Sequence, residues 1–175
     1  YGLDWGKKYM SMLNPALLQS EPGNQLQRKL KRTETNTVGT QVGDFQLPDD
    51  KGRMFSLSSS KARFVLLEFW SSWCGPCRAQ NPRLIKVHNA YKAKGFEIIG
   101  VSMDETKEAW QKAIAKDGLT WTQLCDFKGW QGPVAKRFSL AGIPYNILLD
   151  QNRKIIAVDL HSGELEAELK KRLAQ

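Results

Sequence analysis

Two cysteines separated by two residues are the most reactive groups in this sequence. Cys74 and Cys77 enclose Gly75-Pro76 and follow a nearly all-apolar run, residues 64–70. This spacing brings two sulfurs close enough to join, on the first turn of a helix that follows a buried strand. Unpaired backbone N–H groups and the positive end of the helix dipole favour a Cys74 thiolate there. Because the thiolate is the nucleophile, the pattern predicts thiol–disulfide exchange.

The residues between the cysteines suit this arrangement, and two alternatives compete with it. Pro76 fits a first helical turn, where its missing N–H is not needed, and Gly75 lets the backbone turn tightly. A zinc site needs two more ligands, and the candidates lack the paired spacing of such a site: Cys125, His88 and His161. An inert structural disulfide is the other alternative, although so short a loop constrains the unfolded chain little. We expect no metal site, and Cys125, which stands alone, is expected to be an inert, partly buried thiol.

One acidic residue interrupts the apolar run ahead of the cysteines. Glu68 lies on the same face of the predicted strand as Leu66 and Trp70, because side chains alternate along a strand. A carboxyl in that position loses hydration, which predicts a raised pKa. Perturbed acids cluster at active sites, so Glu68 is a candidate catalytic residue. The alternative is that a nearby lysine pairs with it and its role is only structural.

The elements that position these residues follow from the pattern of apolar and turn-forming residues. A hairpin is predicted near the start of the regular region, over residues 44–57. Further strands are predicted at 64–70, 96–101, 119–124, 145–149 and 154–160, with helices at 75–94, 106–116, 132–137 and from 162 onward. Strands that alternate with helices and end in a hairpin and a helix indicate an α/β fold with a mixed sheet.

Residues 1–40 differ from the rest of the chain. Breaks at Asn14-Pro15 and Pro22-Gly23 interrupt short helical patterns. We interpret 1–40 as a helical extension or linker, the end of an upstream region, and 41–175 as one globular domain. The chain of 175 residues begins at Tyr1 and not at Met, so we expect a fragment or a processed form; no basic segment followed by an apolar one is present near its start.

The formal net charge of +8 does not by itself identify a partner. Basic residues are spread along the chain among acids, and the one tighter group is Arg28, Lys29, Lys31 and Arg32. A solvated helix face explains this group better than a nucleic-acid or membrane surface does, so no nucleic acid is expected. No apolar run approaches the length of a membrane span, so we expect no stable membrane insertion of this segment.

Several motifs in combination resemble the thioredoxin family. Three features are similar to thioredoxin. They are the run Trp73-Cys74-Gly75-Pro76-Cys77, Pro82 within the following predicted helix, and Pro144 ahead of a later predicted strand. Two further motifs are similar to the TlpA/ResA-like branch of the redoxin or AhpC/TSA superfamily: Gly43-Asp44-Phe45 and Val101-Ser102-Met103-Asp104. The resemblance covers about 42–175. It implies a thioredoxin-like fold with an N-terminal hairpin and a helical insert after the first βαβ unit.

The resemblance also implies roles for matching residues. Cys74 is expected to be the exposed attacking sulfur and Cys77 the shielded resolving sulfur. A cis bond is expected before Pro144, which would face the pair, while the Ile143 backbone would hydrogen-bond an incoming peptide. Glu68 matches the buried acid that accepts a proton from the resolving thiol, although the usual residue is Asp. The resemblance implies a substrate contact surface made of Trp73, Gly75, Pro76 and Ile143. Trp70 and Trp73 are expected to form an apolar platform beside the pair.

The function predicted on these grounds is reduction of disulfides in partner proteins by a monomer that needs no cofactor. Protein disulfides or dithiols and an upstream electron-donor protein are the expected partners. The resemblance implies a bacterial cell envelope or periplasmic location, with a membrane tether in the full-length protein as one arrangement. Two alternatives stay open: a peroxiredoxin-like thiol peroxidase, and a redox-inert thioredoxin-like module that only binds a partner. The segment Trp70-Ser71-Ser72-Trp73 lacks the Pro/Thr-rich loop of the peroxidases.

Overall fold

A short antiparallel hairpin opens the globular region of the computed structural model, which describes residues 3–173. Its strands are β1 (Gln46–Pro48) and β2 (Met54–Ser56). The Asp44 carboxylate accepts hydrogen bonds from the side chain of Ser56 and the backbone N–H of Ser58, which lowers its pKa to about 2. The hairpin is thereby attached to the chain that precedes it. Residues 1–2 and 174–175, and with them the expectation drawn from Tyr1, lie outside the described part.

The central sheet has five strands in the order β5-β4-β3-β6-β7. They are β3 (Phe64–Trp70), β4 (Phe96–Ser102), β5 (Thr122–Leu124), β6 (Tyr145–Asp150) and β7 (Ile155–Val158). β3 pairs with β4 in parallel and with β6 antiparallel, so the sheet is mixed. Every residue of β3 is buried. The strand that leads to the cysteines is therefore at the centre of the molecule.

Within residues 3–173, four α-helices flank the sheet and three precede the hairpin. The first group is α4 (Gly75–Tyr91), α5 (Lys107–Asp117), α6 (Pro133–Arg137) and α7 (Ser162–Leu173). The second is α1 (Leu3–Met12), α2 (Pro15–Gln19) and α3 (Glu21–Thr35). None of the helices in residues 3–173 has the length and apolar character needed to cross a bilayer. The α/β fold, its hairpin and the insert α5 after the unit β3–α4–β4 agree with the prediction.

The two faces of β3 pack into two separate apolar cores. Val65, Leu67 and Phe69 belong to the core that also contains residues of the hairpin. Leu66 and Trp70 belong to the other core, which contains both Cys74 and Cys77 and residues of α4 and α7. Because alternate residues share a face, Glu68 points to the side of the sheet that carries the cysteines.

The N-terminal helices contact the domain through α3. The Arg32 guanidinium lies over the Tyr145 ring at 4.3 Å from its centroid, a cation–π geometry. Beyond the end of α3, the Asn36 side-chain amide donates to the Phe138 carbonyl at 2.8 Å. The N-terminal helices are thus attached, through α3 and Asn36, to the first residue of β6 and to the segment before that strand. The boundary between extension and domain near residue 40 stays a prediction.

Candidate active site

The two cysteines form a disulfide at the start of α4, directly after β3. Their Cα atoms are 5.3 Å apart. Cys74 is the N-cap residue of α4, and its sulfur accepts a hydrogen bond from the Cys77 backbone N–H at 3.2 Å. This N–H is one of the donors that a helix start leaves without an intrahelical partner. The same donor and the helix dipole would stabilise a Cys74 thiolate after reduction.

The exposure of the sulfurs differs from the prediction. Cys74 exposes 5% of its surface and Cys77 exposes 1%. The expectation of an exposed Cys74 is wrong for this disulfide form, because both cysteines pack in the core that contains Leu66 and Trp70. The order of exposure, with Cys77 more covered than Cys74, agrees with the prediction.

Exposed and half-buried residues surround the covered disulfide. Trp73 is 59% exposed, Gly75 and Pro76 are exposed, and Ile143 is half-buried. Ile143 also packs against the core that contains the cysteines. These are the four residues predicted to contact substrate, and three of them, Trp73, Gly75 and Pro76, adjoin the cysteines in the chain.

Trp70 does not join Trp73 at this surface, which corrects the prediction of a platform built from both. Trp70 is buried, and its indole Nε1–H donates to the Gln123 side-chain oxygen at 3.0 Å. As the last residue of β3 it points into the core, whereas Trp73 lies in the turn beyond the strand. Of these two tryptophans, Trp73 alone has an exposed ring.

The peptide bond between Ile143 and Pro144 is cis, as predicted. It lies immediately before β6, whose first residue Tyr145 pairs with Phe69 of β3. Pro144 is half-buried. Pairing between β6 and β3 therefore brings the proline loop to the end of β3 from which the cysteines follow.

Glu68 is buried in the middle of the sheet, on the face that carries the cysteines. It is 3% exposed, pairs in register with Asn146 of β6, and its Oε2 atom has no hydrogen-bond partner in the described part of the chain. Burial raises the pKa of Glu68 to about 8; a hydrogen bond with Asn146 opposes the shift and the Asp159 carboxylate adds to it. Among the groups that shift this pKa, the charged one is Asp159, and none is a lysine. A carboxyl with this pKa can exchange a proton near neutral pH.

Sequence reasoning missed a group of polar residues beside the pair. Asp104, which follows β4, is buried and accepts a hydrogen bond from the Ser72 backbone N–H at 2.9 Å. Arg78, one residue after Cys77, forms an ion pair with Asp117. The carboxyl ends of neighbouring parallel strands meet at one edge of a sheet, a rule that could have identified Asp104. The neighbouring acid Glu105 is exposed.

Cys125 is covered more completely than expected. It is buried in the core that contains the pair, and burial raises the pKa of its thiol to about 11. Its sulfur lies 3.4 Å from the Asp104 carbonyl oxygen. A thiol with so high a pKa has almost no thiolate at neutral pH and is a poor nucleophile.

We expect Cys125→Ser to leave the turnover of disulfide reduction within about two-fold of the wild type, because the thiol is inert. Turnover would be measured on the folded variant, with circular dichroism as the check on folding. Loss of most turnover in a folded Cys125→Ser protein would instead reveal a third redox-active cysteine.

The fold and this site together define a class of protein. A mixed sheet with a disulfide at the start of the helix after its central strand, and a cis-proline before the antiparallel neighbour of that strand, is the thioredoxin-like arrangement. Of the His, Cys, Asp and Glu side chains in residues 3–173, no three lie close enough together to hold a metal ion.

Comparison with known proteins narrows this class. The model of the AhpC/TSA family matches residues 38–158, and the chain belongs to that family. Thiol-disulfide oxidoreductase ResA of Geobacillus kaustophilus is 31% identical over 135 residues, which are 75% of this chain and 76% of the relative. The ResA protein of Bacillus thuringiensis is 30% identical over 125 residues, 71% of this chain and 70% of the relative. The chain is a thiol–disulfide oxidoreductase of the TlpA/ResA-like branch, as its motifs predicted.

Solved structures support the same assignment. A thiol-disulfide oxidoreductase from Bacteroides fragilis is 39% identical, with a TM-score of 0.71, over 76% of this chain and 99% of that one. The thioredoxin domain of a thiol-disulfide oxidoreductase from Bacteroides vulgatus is 36% identical, with a TM-score of 0.73, over 78% of this chain and 98% of that one.

Proposed function

We propose that this protein reduces disulfides in partner proteins through Cys74 and Cys77. The carrying observation is the position of Cys74 at the start of α4, with the Cys77 N–H 3.2 Å from its sulfur. The Cys74 thiolate attacks one sulfur of the partner disulfide, and the other partner sulfur leaves as a thiolate. Cys77 then attacks Cys74 in the mixed disulfide, which releases the second partner thiolate. Two electrons pass to the partner, and Cys74–Cys77 becomes the disulfide.

Glu68 is the proton acceptor for Cys77 in the second step. Its pKa of about 8 is close to that of an ordinary thiol, about 8.5, so a proton can move between them in either direction. Its place on the cysteine-bearing face of β3 supports this role. The proton is carried by the carboxyl itself or through a water molecule.

Partner recognition uses the exposed rim of the site. Trp73, Gly75 and Pro76 contact the partner from one side, and the backbone of Ile143 pairs with an extended segment from the other. Pro144, which the cis peptide bond joins to Ile143, is the residue assigned to face the two sulfurs. This rim supports binding of an unfolded or extended stretch of the partner around the target disulfide.

An insulin reduction assay and a hydrogen peroxide assay test the proposal together. Dithiol-dependent insulin reduction with slow peroxide consumption is the expected result. Peroxide consumption without any disulfide substrate would favour the thiol peroxidase alternative. Activity in neither assay, from a protein with an intact Cys74–Cys77 pair, would favour the module that only binds a partner.

The physiological partners are protein disulfides and an electron-donor protein, with the domain acting as a monomer in the bacterial cell envelope. Resemblance to TlpA/ResA-like proteins supports this location. Mixed-disulfide trapping with Cys77→Ser in the native cell would identify the partners, and cell fractionation would locate the protein. Recovery of the protein and its trapped partners in the cytoplasm would overturn the location.

The pair is expected to be a reductant, with a potential nearer the value of about −270 mV for thioredoxin than that of about −120 mV for the oxidant DsbA. Strong oxidants of this fold often place a His beside the second cysteine, where its positive charge stabilises the thiolate. Here Gly75-Pro76 lies between the cysteines, and the charge of Arg78 is compensated by Asp117. Equilibration with dithiothreitol or glutathione buffers, followed by alkylation, gives the potential. A value close to that of the oxidant would contradict this direction and leave the exchange mechanism intact.

A further inference from the structure

The turn between β3 and Cys74 is held at one residue, Ser72, from two directions. Its backbone N–H donates to Asp104 Oδ2 at 2.9 Å, and its hydroxyl donates to Asp104 Oδ1 at 2.5 Å. Its carbonyl oxygen accepts from Arg78 Nη1 at 3.4 Å. All three polar groups of a half-buried serine, two residues before the attacking sulfur, are therefore bonded within the protein.

Asp104 is itself fixed in place. The Ser102 hydroxyl donates to Asp104 Oδ2 at 2.6 Å, and the Asp104 N–H donates to Ser102 Oγ at 2.9 Å. The Met103 N–H donates to the Trp70 carbonyl at 2.8 Å, so this stretch continues the pairing with the end of β3. A buried carboxylate with three donors on its oxygens is satisfied and rigid.

Arg78 is fixed by the end of the helical insert. Its Nε and Nη2 donate to the two carboxylate oxygens of Asp117, at 2.8 and 2.5 Å, in the bidentate geometry that suits a guanidinium. The Asn81 amide adds a third donor to Asp117 at 2.8 Å. The hydrogen bond with Asp117 also raises the pKa of Arg78. Asp117 is the last residue of α5, so the insert reaches the site through this ion pair.

We propose that Asp104 and Arg78 are positioning residues for the exchange reaction. By holding Ser72 from both sides they keep the Cys74 sulfur at the start of α4, where the Cys77 N–H points at it. After the disulfide opens, that place is the one in which the thiolate is stabilised. This positioning role rests on the proposed function, because it serves the exchange reaction. It is detected through the pKa of the Cys74 thiol.

Two variants that preserve charge separate positioning from electrostatics. Ser72→Ala removes the hydroxyl that donates to Asp104, and Arg78→Lys keeps the positive charge but loses the planar fork that joins Asp117 to the Ser72 carbonyl. Loosening the turn should raise the pKa of Cys74 by about half a unit to one unit. The iodoacetamide reaction of Cys74 at pH 7 should then slow about three- to ten-fold, because one pKa unit is a tenfold change in thiolate.

The pKa would be read from the alkylation rate of the reduced full chain against pH, with mass spectrometry to assign the site. Glu108→Gln is the control, since it removes an exposed acid from the first turn of the same helix, α5. Asp104→Asn adds a test that depends on the direction in which the pKa of Cys74 shifts. Loss of positioning raises the pKa of Cys74, whereas loss of a negative charge alone lowers it.

Wild-type pKa values and alkylation rates in both Ser72→Ala and Arg78→Lys would overturn the proposal, as would a lowered pKa in Asp104→Asn. If Asp104→Asn does not fold, Ser72→Ala decides, because it removes one hydroxyl and no charge. The alkylation readout needs no disulfide substrate. A protein that failed to reduce insulin but showed these shifts would refute the proposed function and leave the positioning role standing.

Discussion

Cys74→Ser is expected to abolish disulfide reductase activity, and Cys77→Ser is expected to accumulate mixed disulfides. Without Cys74 the nucleophile is lost, because Cys77 is 1% exposed and the helix-start donor points at the other sulfur. Without Cys77 the first step proceeds and the second cannot, so Cys74 remains joined to its partner. Disulfide reductase activity should fall by more than about 1,000-fold in both variants, because the two cysteines act together and loss of either one stops turnover.

Insulin reduction gives the activity, and non-reducing electrophoresis with mass spectrometry gives the trapped species. Cys125→Ser, which removes a buried thiol of the same core, is the matched control and should behave as the wild type. The assignment of roles depends on which thiol of the reduced protein is alkylated first by iodoacetamide. Faster alkylation of Cys77 than of Cys74 would reverse the roles.

Glu68→Gln is expected to slow resolution of the mixed disulfide by about 100-fold while leaving its formation within a few-fold of the wild type. A positioned acid–base group contributes about this much or more. The amide keeps the size of the side chain and cannot accept the Cys77 proton. Stopped-flow measurement of the two steps against pH should show a dependence near pH 8 in the wild type that is absent from the variant. An NMR titration that places the pKa of Glu68 at or below about 4.3 would remove the proton-transfer role.

The same residue should make stability depend on pH. The pKa of Glu68 is raised from 4.5 to about 8 in the folded protein, so the folded state holds a proton that the unfolded state releases between these values. The stability lost as pH rises through this window is on the order of a few kcal/mol. The free energy of unfolding would be measured by urea denaturation at pH 5 and pH 8. Relative to the wild type, Glu68→Gln should be more stable at pH 8 than at pH 5. The exposed Glu108→Gln should show no such gain.

Much of the scaffold could be predicted from short-range patterns. β3 begins and ends where the apolar run does, at Phe64 and Trp70, because a strand buried on both faces needs apolar side chains on both. α4 begins at Gly75 as predicted but ends at Tyr91 and continues as a 3-10 turn to Lys94. β5 is shorter than predicted, beginning at Thr122. Edge strands and helix ends depend on contacts that a local pattern does not contain.

Among the residues of the site, some were predictable from the local sequence pattern, and others depend on contacts across the fold. Glu68 was recognised because a charge within an apolar strand violates the local pattern, and its high pKa follows from burial alone. Asp104 and Arg78 violate no pattern, since polar residues after a strand and in a first helical turn are common. Their significance comes from hydrogen bonds to Ser72 and Asp117 across the fold. The exposure of Cys74 was predicted wrongly because it depends on packing against the whole core.

Because the Cys74–Cys77 disulfide is almost completely buried, the rate of thiol–disulfide exchange can be low even where the exchange equilibrium is favourable. An attacking thiol must reach a sulfur atom, and Cys74 offers 5% of its surface. Glutathione should therefore react slowly even where exchange is favourable. A protein docked against Trp73 delivers its sulfur at a high effective concentration and overcomes this restriction. The redox state of the pair would then follow its protein partners and not the surrounding pool of small thiols, so that two redox couples can coexist in one compartment without equilibrating.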